Sequence, residues 1–324
     1  MHSIYALALG SGVVLFAAKG FEHARVLGAS LAGVWLLVLL FFRLFARGAD
    51  DAERETGTKR VGFYVITYAI KNLYQGMLFF LLPFYWKSTT FFSVNAGFVV
   101  LLAIVAVLST LDIVFDRFVM RYRWLASILH GVILFACLYV VFPAFIPASR
   151  NVVSLCVAAV VAVLGVLSLH MRFRALKEGS FLALTGVLLV AAPAGAYVVR
   201  RAIPPVPMYV EHAGVGPSVL ADGRLMMEIE SLHVSAMGDM IAVTDVQVPA
   251  GPKSSFRHVW RLNGEELPGA RVSLFARDVG KKTIRLQSSL RSVKEKSSYA
   301  GRWTVDVETT DGQIVGRTSF KVVE

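Results

Sequence analysis

Arg200-Arg201-Ala202-Ile203-Pro204-Pro205-Val206-Pro207 divides the chain into two kinds of sequence. Before it, long apolar runs of helical, membrane-spanning length dominate. After it, apolar and polar residues alternate between turn signals, as in a soluble β domain. The three prolines stop a helix and favour a stiff, extended spacer. The two arginines suit snorkelling to lipid headgroups at the end of the preceding run.

Composition agrees with that division. Of 324 residues, 56% are hydrophobic and 17% charged, too apolar for an ordinary soluble protein. The formal charge of +11 is concentrated in the front part, which holds 18 Lys/Arg against 8 Asp/Glu, while Pro205 onward holds 15 against 14. The excess therefore belongs to loops between apolar runs, and no basic stripe on the soluble part points to nucleic acid. Cys137 and Cys156 both lie in apolar runs, so the β region has no disulfide framework and both thiols are expected to be plain buried groups. Met1-His2-Ser3 lacks a basic n-region and Ala17-Ala18-Lys19 is a poor cleavage site, so the first run is expected to remain as an anchor.

Hydropathy predicts a polytopic α-helical membrane bundle of about seven spans over residues 1–203. The runs are Ile4–Lys19, Ala29–Phe45, Val61–Trp86, Ser93–Phe115, Leu125–Phe145, Val152–His170 and Phe181–Val199. Alternate loops carry eleven Lys/Arg against six, which places the richer set in the cytoplasm of a bacterial inner membrane. The N-terminus is then cytoplasmic and the C-terminal domain periplasmic.

The third run carries a polar stripe. Thr67, Lys71 and Gln75 recur at helical spacing, with Tyr64, Tyr68 and Asn72 beside them. A deep ionisable residue costs at least about 2.5 kcal/mol unless paired or hydrated. The next run offers Ser109, Asp112 and Asp116 on one face. A structural Lys71–Asp112 pair, a snorkelling Lys71, a polar cavity handling a substrate or proton, and an active site all fit this pattern. Leu82-Pro83-Phe84-Tyr85-Trp86-Lys87 with Phe91-Phe92 reads as an aromatic belt at the outer interface. His130 and His170 stand alone, without a second ligand at helical spacing, so no metal is expected.

Residues 204–223 read as a Pro/Gly-containing linker, and 224–324 as an all-β, antiparallel, sandwich-like domain of about seven short strands. Arg224–Val234 alternates with a phase slip near Glu230-Ser231, and Met240–Val248 slips after Val243. Phe256, His258, Trp260 and Leu262 share one strand face. Asn263-Gly264 marks a tight turn, with the return strand expected only near Arg271, where Val272, Leu274 and Ala276 share a face. Asp311-Gly312 is the stronger hairpin signal, joining Trp303–Thr309 to Gln313–Val323. Ser288-Ser289 and Ser297-Ser298 are read as turn and edge material.

His258-Val259-Trp260-Arg261-Leu262-Asn263-Gly264, Arg285-Leu286-Gln287-Ser288-Ser289 and Gly301-Arg302-Trp303-Thr304-Val305-Asp306-Val307, leading to Asp311-Gly312 and Phe320, resemble domain-of-unknown-function family 2914 over the last seventy residues or so. The resemblance implies a fold and a setting behind a multi-span membrane region. It implies no reaction.

His258 and Trp260 could form a carbohydrate platform, but their phase with Phe256 and Leu262 favours a core position. Trp303 reads the same way. No nucleophile elbow, phosphate loop, dinucleotide fingerprint or zinc-protease helix is present, so neither catalysis nor a cofactor is expected. The leading expectation is a non-enzymatic inner-membrane protein presenting a periplasmic β domain to an envelope protein or cell-wall glycan. A transporter or lipid-handling protein working through the polar stripe is the alternative. A motif-poor membrane enzyme acting on lipid-linked precursors is the third.

Overall fold

The computed structural model describes residues 58–324 apart from 112–114, 116–118, 120–121, 147–148, 171–178, 249–254, 268–272, 281 and 291–298. These residues fall into two compact units. A helical unit takes the chain up to Trp86 and again from Gly97 to Arg200, and a β unit takes Lys87–Ala96 and Arg201–Glu324.

Five α-helices are described: α1 (Thr58–Lys87), α2 (Ala96–Thr110), α3 (Arg123–Phe145), α4 (Asn151–His170) and α5 (Gly179–Val198). Among the described residues, three apolar segments, Trp124–Pro143, Asn151–Leu169 and Gly179–Ala202, are long and apolar enough to cross a membrane. This corrects the expected seven spans. Two of those, Ile4–Lys19 and Ala29–Phe45, lie outside the described residues. The third is helical but diluted by Lys71, Asn72 and Gln75. The fourth stops after 15 residues, roughly 22 Å of rise against a hydrocarbon core near 30 Å.

Helices α3 and α4 pack closely at Gly165, where a Cβ would stand 2.3 Å from Leu134 Cδ2, so a larger side chain there would displace the Leu134 side chain. In the last apolar segment only 6% of the best window is covered by described residues, and Val187 and Val190 are 64% and 71% exposed. So much apolar surface calls for a non-aqueous surrounding.

The β unit is a sandwich of two sheets. The four-stranded sheet has the order β1 (Tyr209–Gly216), β3 (Met240–Gln247), β7 (Thr283–Leu290), β6 (Ser273–Gly280), with antiparallel neighbours throughout. The five-stranded sheet has the order β2 (Ser231–His233), β9 (Ile314–Val323), β8 (Gly301–Thr309), β4 (Phe256–Leu262), β5 (Glu265–Glu266). Its β2–β9 pair is parallel and the rest antiparallel.

The sheets close over two apolar clusters. One joins Val215, Met240, Ala242 and Leu290 to Trp260, Trp303, Val305 and Phe320. In it Trp303 stacks on Phe320 at 5.8 Å between centroids, and Trp260 meets the same ring edge-on at 6.5 Å. The other joins Met208, Val246, Ile284 and Leu286 to Phe256, Val307 and Val315. This second cluster fills the end of the sandwich where Phe256 pairs with Thr309, and the first fills the Leu262–Trp303 end.

Several local expectations need correction. Residues 204–223, read as a linker, contain β1, because Gly214 and Gly216 serve close packing there rather than a flexible spacer. A Cβ on Gly216 would lie 2.1 Å from the Met227 carbonyl oxygen. The segment after β1 therefore lies directly on it, and the long strand expected over 224–234 reduces to β2. The sandwich has nine described strands rather than about seven. Strand β3 shows no phase slip: Met240, Ala242, Thr244 and Val246 are all buried, Thr244 keeping the phase although it is polar, and Val248 is buried just past the strand. After Asn263 (φ 51°) and Gly264 (φ 90°) the chain returns at once as β5, as two positive-φ residues in a two-residue turn allow. Glycine at 312 (φ 83°) turns β8 into β9.

Segment Lys87–Ala96 is part of this unit. Asn95, fully buried, donates from Nδ2 to the Ile314 carbonyl at 3.1 Å and accepts from the Thr90 amide at 3.2 Å. Gln313, also fully buried, donates to the Ile203 carbonyl at 3.2 Å.

The Gly216→Ala variant is expected to destabilise the β unit by about 1–3 kcal/mol through overpacking. Gly238→Ala, where a Cβ meets nothing within 4 Å, should be neutral. Chemical denaturation of the two purified variants checks the contrast, and equal stabilities would contradict the close approach.

Candidate functional site

The residues singled out in the β region converge in its interior. Strand β4 points His258 and Trp260 inward, and β7 faces them with Ser288. Ser288 is fully buried rather than at a turn or edge, while Ser297-Ser298 lie outside the described residues. The Trp260 indole N–H donates to Ser288 Oγ at 3.1 Å, and Ser288 Oγ lies 2.7 Å from His258 Nδ1. An indole only donates, so the serine hydroxyl proton is free to point at Nδ1. That leaves the proton of neutral His258 on Nε2, which is buried without a hydrogen-bond partner among the described residues, as is Thr244 Oγ1.

This is the spacing of a nucleophile and base, but the serine oxygen is sealed between two apolar clusters and no substrate reaches it. The residues form a polar layer across the core. The carbohydrate-platform option fails for the same reason, since Trp260 is 2% exposed.

Asn263 and Trp303 brace the sheet from the other end. The Asn263 carboxamide accepts from the Arg302 amide at 2.9 Å, and the Trp303 indole donates to the Tyr299 carbonyl at 2.9 Å.

The outward face of the five-stranded sheet carries an ionic ladder. Asp306 and Glu308 alternate with the inward Val305 and Val307, yet both carboxylates are buried beneath arginines. Arg317 holds Asp306 with Nε and Nη2 at 2.5 and 2.9 Å, Arg261 bridges Asp306 and Glu308, and Arg257 reaches Glu308 at 2.7 Å. Burial alone would raise the Glu308 carboxyl, but hydrogen bonds from Arg261 and Arg257, with their charges, hold it below the ordinary glutamate range.

The outward face of the four-stranded sheet carries a cleft of about 300 Å³, lined by β1, β3, β7 and the segment crossing β1. Arg285 forms its floor, bidentate to Asp245 at 2.7 and 2.8 Å and donating to the Asp222 carbonyl at 3.1 Å. The hydrogen bond to Asp245 raises Arg285 above its ordinary value, so its charge is permanent. His212 and Glu228 face each other across the mouth at 2.8 Å, both about half exposed. Arg224 and Leu225 complete the rim. Sequence reading missed this site because His212 lay in the supposed linker; Arg285, within the family-like motif, was its one available signal.

In the helical unit, α1 turns Lys71, Tyr74 and Gln75 inward. Lys71 is 7% exposed, Gln75 donates to the Ser109 carbonyl at 2.7 Å, and Tyr74 Oη lies 2.7 Å from His130 Nδ1. Asn72 instead bonds back to the Tyr68 carbonyl at 2.8 Å. Thr67 lies on α1, while Asp112 and Asp116 fall outside the described residues, and the Lys71–Asp112 pair with them.

Burial lowers His258 from 6.5 to about 4. Between those values the unfolded chain binds a proton that the folded sandwich refuses, so stability falls as pH drops through that window, by on the order of 3 kcal/mol, and levels off below it. Glu308, depressed rather than raised, adds its own loss only at more acidic pH. Denaturant unfolding from pH 7 to 4 should show this slope in the native chain and lose it in His258→Gln. An unchanged slope would contradict a buried neutral imidazole.

Residues 2–238 match DUF5924, described as a family of unknown function, and residues 253–322 match DUF2914, described as a protein of unknown function. The second match bears out the resemblance carried by the His258, Ser288 and Trp303 motifs. No curated protein matches the chain. The sandwich straddles both regions: segment Lys87–Ala96, β1 and β2 lie in the first match, β4 to β9 in the second, and β3 between them. With the first match spanning well over half of its length, the chain belongs to the DUF5924 family and carries a DUF2914 region that supplies most of its sandwich.

Proposed function

We propose that this protein is a non-enzymatic component of a bacterial inner membrane, whose β unit stands in the periplasm and binds an envelope protein or glycan through the His212–Glu228 cleft. The observation that carries the reading is the cleft. Its floor is a rigid Arg285–Asp245 pair, and its rim offers the half-exposed His212 and Glu228 and the largely exposed Arg224 as polar groups. A fixed polar floor with accessible donors and acceptors suits recognition of a hydrogen-bonding partner. The nucleophile-like Ser288 is sealed away, which supports binding rather than catalysis.

Orientation rests on the three long apolar segments. Arg117, Arg121 and Arg123 precede the first, and Arg172, Arg174 and Lys177 lie between the second and third. Arg150, Arg200 and Arg201 mark the opposite side. Six against three favours a cytoplasmic position for the first group and a periplasmic one for the chain after Ala202. Since Lys87–Ala96 belongs to the same β unit, the chain between Ala96 and Tyr122, which includes the shorter apolar helix α2, must then cross as well.

A second reading, transport or lipid handling through the helical unit, draws on the buried Lys71, Gln75 and Tyr74–His130 cluster, in which His130 Nε2 is buried without a partner among the described residues. Lys71→Met separates the two, because it leaves the β unit and its binding untouched.

A phosphatase reporter fused after Glu324 should be active, and a cytoplasmic readout would overturn the orientation. With the full chain in nanodiscs, a photocrosslinker at Arg224 should capture an envelope component. Glu228→Lys should weaken that capture about tenfold, equivalent to about 1.4 kcal/mol. Capture indifferent to Glu228→Lys would remove the cleft from the account.

A further inference from the structure

Segment Lys87–Ala96 holds two apolar side chains in the open on a fixed mount. Phe92 is 93% exposed and Val94 71% exposed. Phe92 has φ 64°, a conformation that a bulky L-residue adopts only when its surroundings impose it. The surroundings are visible. Arg317 donates to the Phe92 carbonyl at 3.2 Å while its other nitrogens grip the buried Asp306. Three residues on, buried Asn95 is pinned to Ile314. The loop is thus tied to β9 at its tip and again three residues on, which holds the aromatic side chain in place.

Its position names the partner. Gln313, next to Ile314, holds the carbonyl of Ile203, the residue that follows the apolar segment Gly179–Ala202. The Phe92 tip therefore sits at the end of the β unit that receives the chain from that segment. Lys87 and Arg201, both exposed, belong to the same unit. Apolar tips on a unit that also presents exposed cations fit the boundary between acyl chains and anionic headgroups. A protein partner would call for a broader apolar patch with hydrogen-bonding groups around it.

We propose that the Phe91–Val94 tip is an interfacial anchor: Phe92 and Val94 enter the headgroup region of the bilayer, while Lys87 and Arg201 meet lipid phosphates. This sharpens the aromatic belt read from the sequence, and it rests on the reading that Gly179–Ala202 crosses the membrane.

The test uses the full chain with Cys137→Ala and Cys156→Ala, reconstituted in vesicles of phosphatidylethanolamine and phosphatidylglycerol. Nitroxide labels are placed singly at Phe92→Cys, at Val187→Cys in the apolar segment, and at Glu265→Cys in the turn at the far end of the sandwich. Power saturation compares access to oxygen, which concentrates in lipid, with access to an aqueous nickel chelate. The oxygen-to-nickel ratio at position 92 should be several-fold above that at 265 and below that at 187. Nickel-dominated access at 92, with oxygen-dominated access at 187, overturns the anchor and leaves the membrane reading standing. Protection from both reagents at 92 also overturns it, in favour of a protein contact. Nickel-dominated access at 187 overturns both. Should the cysteine-free chain fail to fold, benzoylphenylalanine at position 92 of the otherwise native chain should yield lipid adducts under light, and their absence is equally decisive against the proposal.

Discussion

Two buried side-chain amides hold the β unit together at its second-cluster end. Asn95 reaches Ile314 across 219 residues of sequence, and Gln313 reaches Ile203 across 110. An amide buried without a partner costs about 1–3 kcal/mol, so each side chain enforces the geometry that satisfies it. Adjacent residues at the start of β9 thus receive two distant parts of the chain. Arg317, three residues further along β9, adds the Phe92 carbonyl. Were these bonds absent, the sandwich would lack its Lys87–Ala96 segment and its fixed point of entry.

The same reasoning explains the interior. Two apolar clusters would fill an ordinary sandwich core as one, but His258, Ser288 and Thr244 lie across it. Such a layer adds little net stability, because its hydrogen bonds replace bonds to water. Its effect is on uniqueness: any slip in the register of β4 or β7 would strand a buried polar atom. The outward ladder of Asp306 and Glu308 under three arginines acts similarly on β8, β4 and β9. Breaking such a ladder by removing one partner costs more than the ladder contributes.

Much of this was legible in sequence. The proline junction marked the change from helix to sheet, alternation on Phe256–Leu262 marked a buried face, and Asp311-Gly312 marked the last hairpin. What stayed hidden depended on long-range packing. Gly214 and Gly216 looked like spacer residues because the reason for them, the Met227 carbonyl at the position of a missing Cβ, comes from a loop that folds back. Ser288 looked like turn material because its partners lie on β4. Thr244 broke the apolar phase of β3 by residue type while keeping it in space. Asn95 gave no local signal, since its partner is on the last strand. In the helical unit, the apolar runs placed the helices well, but counting spans by run length overlooked how far Lys71, Asn72 and Gln75 dilute α1 and how early α2 ends.

The composite construction of the β unit is the central claim, and hydrogen exchange on the full chain tests it most directly. In Asn95→Ala, peptides covering 87–96 and 313–317 should lose protection together while the Gly301–Trp303 end stays protected. Loss confined to 87–96, or no loss at either place, would contradict the claim that this segment is built into the sandwich.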